Sequence, residues 1–527
     1  MATTRTKVDL RRLIGRLRWI HAAPLLAVLT LTAWAFASPV GSGPDDDYHL
    51  ASTWCAVGGS EACAPGTADN TRRLPIAFES VKCYAQDATQ SAACQDEAGL
   101  ALDGAKYETK RGNFQREYPG VYYATMRLFA GDDLVRSAVV MRLVNLTLFV
   151  GLATALAALM PASRRQTLLW GWLVSLVPLG MFLIPSNNPS GWAITGVGTA
   201  FLALLGWFES HGRRRWALGS LYVVGIVMAA GARGDAAMYA AGATIVASLL
   251  TSDLRREWLI RAVLPLAGLV VVALMFLTST QASVGAHGFT GGNAVTDPGV
   301  AQVVGDQAAE AAGGLALAAY NLLMLPYLWT GVWGTWALGW FDTKLPAIVP
   351  WAATTAFIVV AFAGLGLLSK RKALSVVGVF TVLVVLPVYV LTAGGDSVGS
   401  QLQPRYLLPL IVLLSLVLVT APSGSQTVRF TGVQTFAILG ALALANLVAL
   451  QVNIHRYVSG ADQQGGDPGS GAEWWWHGLS VGPTAVWLIG SLSFAALLAV
   501  LWPELRRKAV APGNRAELDA HEVGPTT

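Results

Sequence analysis

KRKALSVVGVFTVLVVLPVYVLTA, residues 370–393, sets three cations against an uncharged apolar run. A helix rising 1.5 Å per residue carries such a run across about 30 Å of hydrocarbon. The pattern recurs near 19–37, 138–160, 168–185, 191–208, 216–232, 236–250, 259–278, 345–368, 405–421, 432–452 and 481–502, which with 373–393 predicts about twelve membrane helices. Closed barrels would show short alternating segments instead. The expected fold class is therefore an all-α integral membrane protein. Composition agrees: of 527 residues 54% are hydrophobic and only 13% charged, too few to clothe a soluble multidomain protein.

The cations set an expected orientation. Arg5 to Arg18, Arg164-Arg165, Arg213-Arg214-Arg215, Arg255-Arg256, Lys370-Arg371-Lys372, Arg429 and Arg506-Arg507-Lys508 all fall on one side of these spans. That side reads as cytoplasmic, with both termini on it. Because the cations are dealt out between spans, the net charge of +5 does not point to nucleic acid. Counting 313–341 as a span would break the alternation, and its Pro326, Trp329, Trp333, Trp336 and Trp340 read as a re-entrant or surface helix on the outer face. A cleaved signal sequence is the alternative for the first span, since Ala35-Phe36-Ala37 resembles a cleavage site. The organisation expected is a cytoplasmic segment 1–18, a first span 19–37, an extracytoplasmic loop 38–137, a bundle 138–502 and a cytoplasmic tail 503–527.

All four cysteines, Cys55, Cys63, Cys83 and Cys94, lie in that loop. An even number confined to an extracytoplasmic segment implies two disulfides, with three pairings open. No C-x-x-C spacing favours a metal instead. The bridges are expected to hold a loop that lacks a large core of its own.

Four constellations carry candidate chemistry. In Gly43-Pro44-Asp45-Asp46-Asp47-Tyr48-His49, directly after the first span, three adjacent carboxylates repel one another. At least one should be hard to ionise unless an arginine or a divalent cation offsets the charge, as a general base or a metal site requires. The plainer reading is a solvated acidic flank. Gln403-Pro404-Arg405-Tyr406 opens a helix with a cation on the outer side, where a phosphate suits the guanidinium fork and lipid headgroups are the ordinary alternative. Arg233-Gly234-Asp235 offers a second outer cation or a local ion pair. The aromatic groups Tyr118 to Tyr123 and Glu473 to His477 fit sugar stacking or an interfacial belt, and Asn187-Asn188-Pro189-Ser190-Gly191 is a polar turn on the same side. No phosphate loop, dinucleotide fingerprint or H-E-x-x-H occurs, so nucleotide hydrolysis is not indicated. The spans hold almost no acidic residues at mid-depth, where coupled transporters place theirs.

Together, Pro44-Asp45-Asp46 with His49, Tyr118-Pro119-x-x-Tyr122-Tyr123, Asn188-Pro189-Ser190-Gly191 and Gln403-x-Arg405-Tyr406-Leu407-Leu408-Pro409 resemble a multi-pass membrane-protein family common in actinobacteria. That family is similar in turn to the GT-C superfamily of glycosyltransferases, which use polyprenyl-phosphate-linked sugars. The resemblance implies a catalytic base in the first outer loop, Asp45 first and Asp46 second, with Arg405 on the donor phosphate. Asp47, His49, Gln403, Tyr406, Arg233, Tyr118 and Tyr122 would line the substrate site. The third aspartate departs from the usual acidic pair. The implied partners are a polyprenyl-phosphate-sugar donor within membrane lipid and an envelope glycan or surface-protein acceptor, with inversion at the sugar. A transporter or flippase of a lipid-linked or envelope molecule is the main alternative, and a non-catalytic envelope scaffold the third.

Overall fold

A computed structural model describes residues 19–58, 60–253, 255–277, 314–400, 402–421, 428–463, 465–470, 474–476 and 480–506. The expectations for Arg5 to Arg18, the outer segment after Ser279, Glu473, His477 and the tail beyond 506 lie outside these residues. The principal helices are α1 (Ile20–Phe36), α2 (Asp46–Trp54), α3 (Val121–Met126), α4 (Leu134–Leu159), α5 (Ala162–Leu176), α6 (Ser190–Glu209), α7 (Gly212–Ala232), α8 (Gly234–Thr251), α9 (Arg256–Leu277), α10 (Gly314–Trp333), α11 (Ile348–Leu365), α12 (Lys370–Gly394), α13 (Pro404–Val419), α14 (Gly432–Ser459) and α15 (Pro483–Leu505).

Among the described residues nine helices are long and apolar enough to cross a membrane: α4, α6, α7, α9, α10, α11, α12, α14 and α15. The other expected spans are shorter or broken. Helices α1 and α13 are apolar but short. The expected span 168–185 divides because Val177 is extended ahead of Pro178, as a residue before proline prefers, and a separate turn of helix follows at Leu179–Leu183. Helix α8 is alanine-rich and packs Ala236, Ala237, Ala240, Ala243 and Ala247 inward without exposed surface. Helix α6 is wholly buried at the centre. Where α6 meets α7, a Cβ on Gly196 would stand 2.6 Å from Gly225 O and Ala229 N, so only glycine permits the crossing.

Hydrogen bonds sort the helix termini into two ends. At one, Arg164 donates to Ala421 O, Lys372 to Gly364 O and Leu418 O, Arg261 to Phe208 O and Arg214 to Leu159 O. We call this the basic end. At the other, Arg142 donates to Ala35 O, Ser38 O and Pro39 O, Asn453 to Ala37 O, and Asn188 to Pro44 O. Helix α10, read from sequence as re-entrant, has the length and apolarity of a span. Its Asn321 nevertheless bonds Asp396 O and the Val398 amide, just past the end of α12 that lies away from the basic end. The chain after it returns to the same level, where Trp340 donates to Gly41 O. Trp333 and Trp340 are buried in protein, with Trp333 donating to Val174 O.

The segment between α1 and α4 is a small domain. Strands β1 (Ala64–Pro65), β2 (Arg72–Pro75) and β3 (Lys106–Thr109) form an antiparallel sheet in the order β1-β2-β3. Cys55 pairs with Cys63 and Cys83 with Cys94, closing loops worth about 2–3 kcal/mol each in the chain-entropy account. Leu50, Trp54, Leu74, Phe78, Val81 and Met126 are at most 2% exposed and form one apolar cluster with Ala138, Met141, Trp192 and Met228 of the helices, so the core of the domain is shared with the bundle.

Candidate functional site

Ahead of the acidic run Arg142 holds the carbonyl of Ala35 in the last turn of α1 and those of Ser38 and Pro39 just beyond it. Pro44 is held through its carbonyl by Asn188. Asp45 then takes a left-handed backbone, φ 60°, which aspartate tolerates better than most residues, and α2 follows at once. That local geometry fans the three carboxylates apart.

Asp45 is the member within reach of solvent, its side chain 34% exposed. Its Oδ2 accepts from Arg405 Nη2 at 2.5 Å and its Oδ1 from Arg111 Nη2 at 3.1 Å. Burial pushes its carboxyl up, but the Arg405 and Arg111 charges outweigh that and hold it well below the usual range. Asp47 is 3% exposed and accepts from Lys82 Nζ at 2.9 Å and Arg111 Nη2 at 2.8 Å. Burial raises its carboxyl as well, and the Arg111 hydrogen bond and charge bring it below the ordinary value. Asp46 is fully enclosed. Its Oδ2 accepts from the Gly43 amide at 3.0 Å and lies 3.9 Å from Arg142, while Oδ1 has no hydrogen-bond partner. Burial pushes it up to about 6, against the pull of Arg142. Of the three, Asp46 is the carboxyl that is hard to ionise, and it has no access to a substrate.

His49 is buried, with Nδ1 2.9 Å from Tyr123 Oη and its ring edge-on to Tyr48 and Tyr118. Burial lowers it to about 3, so it stays neutral. Tyr48 Oη donates to Glu117 at 2.5 Å. Arg405 is 5% exposed and its Nη2 also donates to Tyr406 Oη at 2.9 Å. Its Nε and Nη1 have no partner. Arg405 lines a cavity of about 20 Å³ together with Gln403, Trp336 and Leu179, room for about one water-sized oxygen. Gln403 Oε1 and Trp336 Nε1 are likewise unpartnered. Arg233 is taken up by Asp235 through two bonds of 2.9 Å, so the local ion pair is the arrangement present. Its guanidinium lies over Tyr406 at 4.4 Å and Tyr118 at 5.4 Å, walling the site rather than opening into it. Tyr122 packs edge-on against Trp192 and Tyr123 in the core.

No group of three His, Cys, Asp or Glu side chains among the described residues is arranged to hold a metal. Arg405, Arg111, Lys82 and Arg142 supply the offsetting charge that the sequence reading also allowed to a divalent cation. Lys82, Arg111, Arg142 and Glu117 were not among the sequence candidates. The signal that picked out Arg405, a cation away from the basic clusters, applies equally to Lys82 and Arg111. Trp476 and Trp474, from the second aromatic group, donate to Phe36 O and Val481 O and serve packing.

Two larger cavities are lined by other residues. An apolar one of about 460 Å³ lies among α1, α4, α5 and α15 and extends from Met181 to Arg165 and Glu504 toward the basic end. A mixed one of about 1480 Å³ is bounded by Glu61, Asp103, Asp132, Arg136 and Trp476. Residues 28–414, more than half of the chain, match the family described as "Predicted membrane protein (DUF2142)". No curated protein and no solved structure matches the chain.

Proposed function

Because the chain belongs to the DUF2142 family of membrane proteins, we propose a function from its own site: a GT-C-like glycosyltransferase of about twelve spans that moves a sugar from a polyprenyl-phosphate donor to an extracytoplasmic acceptor. The observation that carries it is Asp45, an ionised, partly exposed carboxylate between the guanidiniums of Arg405 and Arg111 at one end of the helices. The basic end would face the cytoplasm, and the ties of α10 to the opposite end support its reading as re-entrant.

In this reaction Asp45 accepts the proton of an acceptor hydroxyl as its oxygen bonds the anomeric carbon. The bond from that carbon to the phosphate oxygen breaks, its electron pair leaves with polyprenyl phosphate, and the sugar inverts. Arg405 and Arg111 stabilise the charge gathering on the departing phosphate. A transporter would instead place its ionisable groups near mid-span; the Asp45 run lies at one end of the helices.

The test is transfer from a polyprenyl-phosphate-linked sugar by purified protein. Asp45→Asn should lower the rate by at least about 100-fold, the range for loss of a general base. Asp46→Asn should leave most of it, because Asp46 is enclosed. Undiminished transfer by Asp45→Asn removes the base assigned here.

A further inference from the structure

Asp45 stands where an anionic ligand of two arginines would stand. One oxygen takes Arg405 from α13 at 2.5 Å and the other takes Arg111 from the loop domain at 3.1 Å, so a single carboxylate bridges bundle and loop. It does not exhaust Arg405. Two donors of that guanidinium, Nε and Nη1, are buried without a partner in a side chain 5% exposed, a state that costs a cation dearly and that a further anionic oxygen would relieve. Arg405 and Trp336, whose Nε1 is also unpartnered, line the same small cavity. Asp45 is also the one carboxylate of its run that is open to exchange: Asp46 is enclosed and Asp47 is gripped by both Lys82 and Arg111.

We propose that the Asp45 carboxylate is a resident substitute for a lipid phosphate, which on binding takes its place on Arg405 Nη2 and also uses the idle Nε donor on the same edge. The released carboxylate then turns from a countercharge into a proton acceptor. The exchange itself needs only a phosphate-bearing lipid, and this last consequence rests on the transferase reading. No bond is made or broken in the exchange; one anion replaces another on the guanidinium. A phosphoryl group suits the place better than a carboxylate, since two of its unesterified oxygens can meet the Nε/Nη2 edge of Arg405 while a third remains for Arg111. The device also couples the two events, because the base is freed only when the donor has arrived.

Affinity for a polyprenyl monophosphate, measured on the full chain in nanodiscs, tests the exchange. Asp45→Asn should bind it about tenfold more tightly than wild type, the scale of one charge-assisted contact no longer contested. Asp45→Gly should do the same, and its backbone accepts φ 60° without strain, which guards against a folding artefact. Arg405→Gln should lose the binding. Asp47→Asn removes an equal charge close by and should gain much less; an equal gain would reduce the effect to net charge and overturn the proposal. Unchanged or weaker binding by both Asp45 variants would also overturn it. Phosphatidylglycerol in a second set of discs separates the sources: a gain confined to polyprenyl phosphate assigns the carrier lipid, and equal gains assign the site to lipid phosphate generally. Sugar transfer is scored apart. Exchange without transfer leaves this proposal and sinks the enzyme, whereas transfer without the gain in binding does the opposite.

Discussion

Cations crowd both ends of the helix bundle but meet different partners there. At the basic end Lys372 spends its ammonium on Gly364 O and Leu418 O, and Arg261 and Arg214 likewise donate to backbone carbonyls. Arg164 does this too while also pairing with Glu209, and Glu257 and Glu504 stand one each beside Arg261 and Arg165. The carbonyls are helix C-terminal groups in need of donors, and they hold their cations by geometry that no solute replaces. At the site end the side chains of Arg405, Arg111, Lys82, Arg233 and Arg456 meet carboxylates instead. A carboxylate is a partner that another anion can imitate. The number of cations therefore says where the membrane faces lie, and the kind of partner says where a ligand is to be sought.

Three substitutions would break or sharpen that contrast. The largest effect is expected for Arg456→Leu. This residue pairs with Asp342 at 2.9 Å and also donates to Tyr84 O, Asp87 O and Gln90 O, clamping the loop domain to α14. Removing it strands a buried carboxylate, and thermal unfolding in detergent should record a loss of about 3–5 kcal/mol, with faster protease cutting between Tyr84 and Gln90. An unaltered melting point would mean that site-end pairs do not fasten the loop. Next is Lys372→Met, which keeps the length of the side chain and leaves two carbonyls without a donor. We expect about 1–2 kcal/mol of destabilisation and no change in affinity for polyprenyl phosphate; altered affinity would erase the distinction between the ends.

The smallest is Asp46→Asn. The folded carboxyl is raised from 3.8 to about 6, so its contribution to stability is complete below 3.8 and is lost as pH rises through about 6. The variant carries no such loss. Melting curves of the two proteins should converge near pH 4 and separate toward pH 8, the variant melting at or above wild type. A variant that melts lower at pH 8 would show that Asp46 is needed in its charged form.

Much of the bundle is legible in the sequence because a span is a local signal. The run after Lys370 declares α12 without reference to anything distant, and Pro404 at the first turn announces α13. What fails locally fails in the reading as well. Pro178 interrupts a run whose composition alone suggested one helix. The site divides along the same line. The run at Asp45 and the outer cation Arg405 are visible as motifs. Their contact joins residues 360 positions apart, and Arg111 reaches Asp45 across 66 and Lys82 reaches Asp47 across 35. Nothing near Arg111 in the chain distinguishes it from Lys110 or Arg116, so its role becomes visible only once β3 has delivered it. Likewise Asp46 and Asp45 are equivalent in a one-dimensional motif, and the left-handed turn at Asp45 is what turns one inward and leaves the other open.

The anchoring of the acidic run has a consequence for how such a protein changes over time. Its path from Ala37 to Pro44 is held by Arg142, Asn453, Asn188 and Trp340, all of them bundle residues, whereas Lys82 and Arg111 are lent by the loop domain. The Asp45 carboxylate thus takes one countercharge, Arg405, from the bundle and the other, Arg111, from the loop domain. A remodelled loop, given the same two disulfides, can retune how strongly Asp45 is held and what may approach it while the position of Asp45 over the membrane stays put. The loop is the adjustable part of an otherwise fixed instrument.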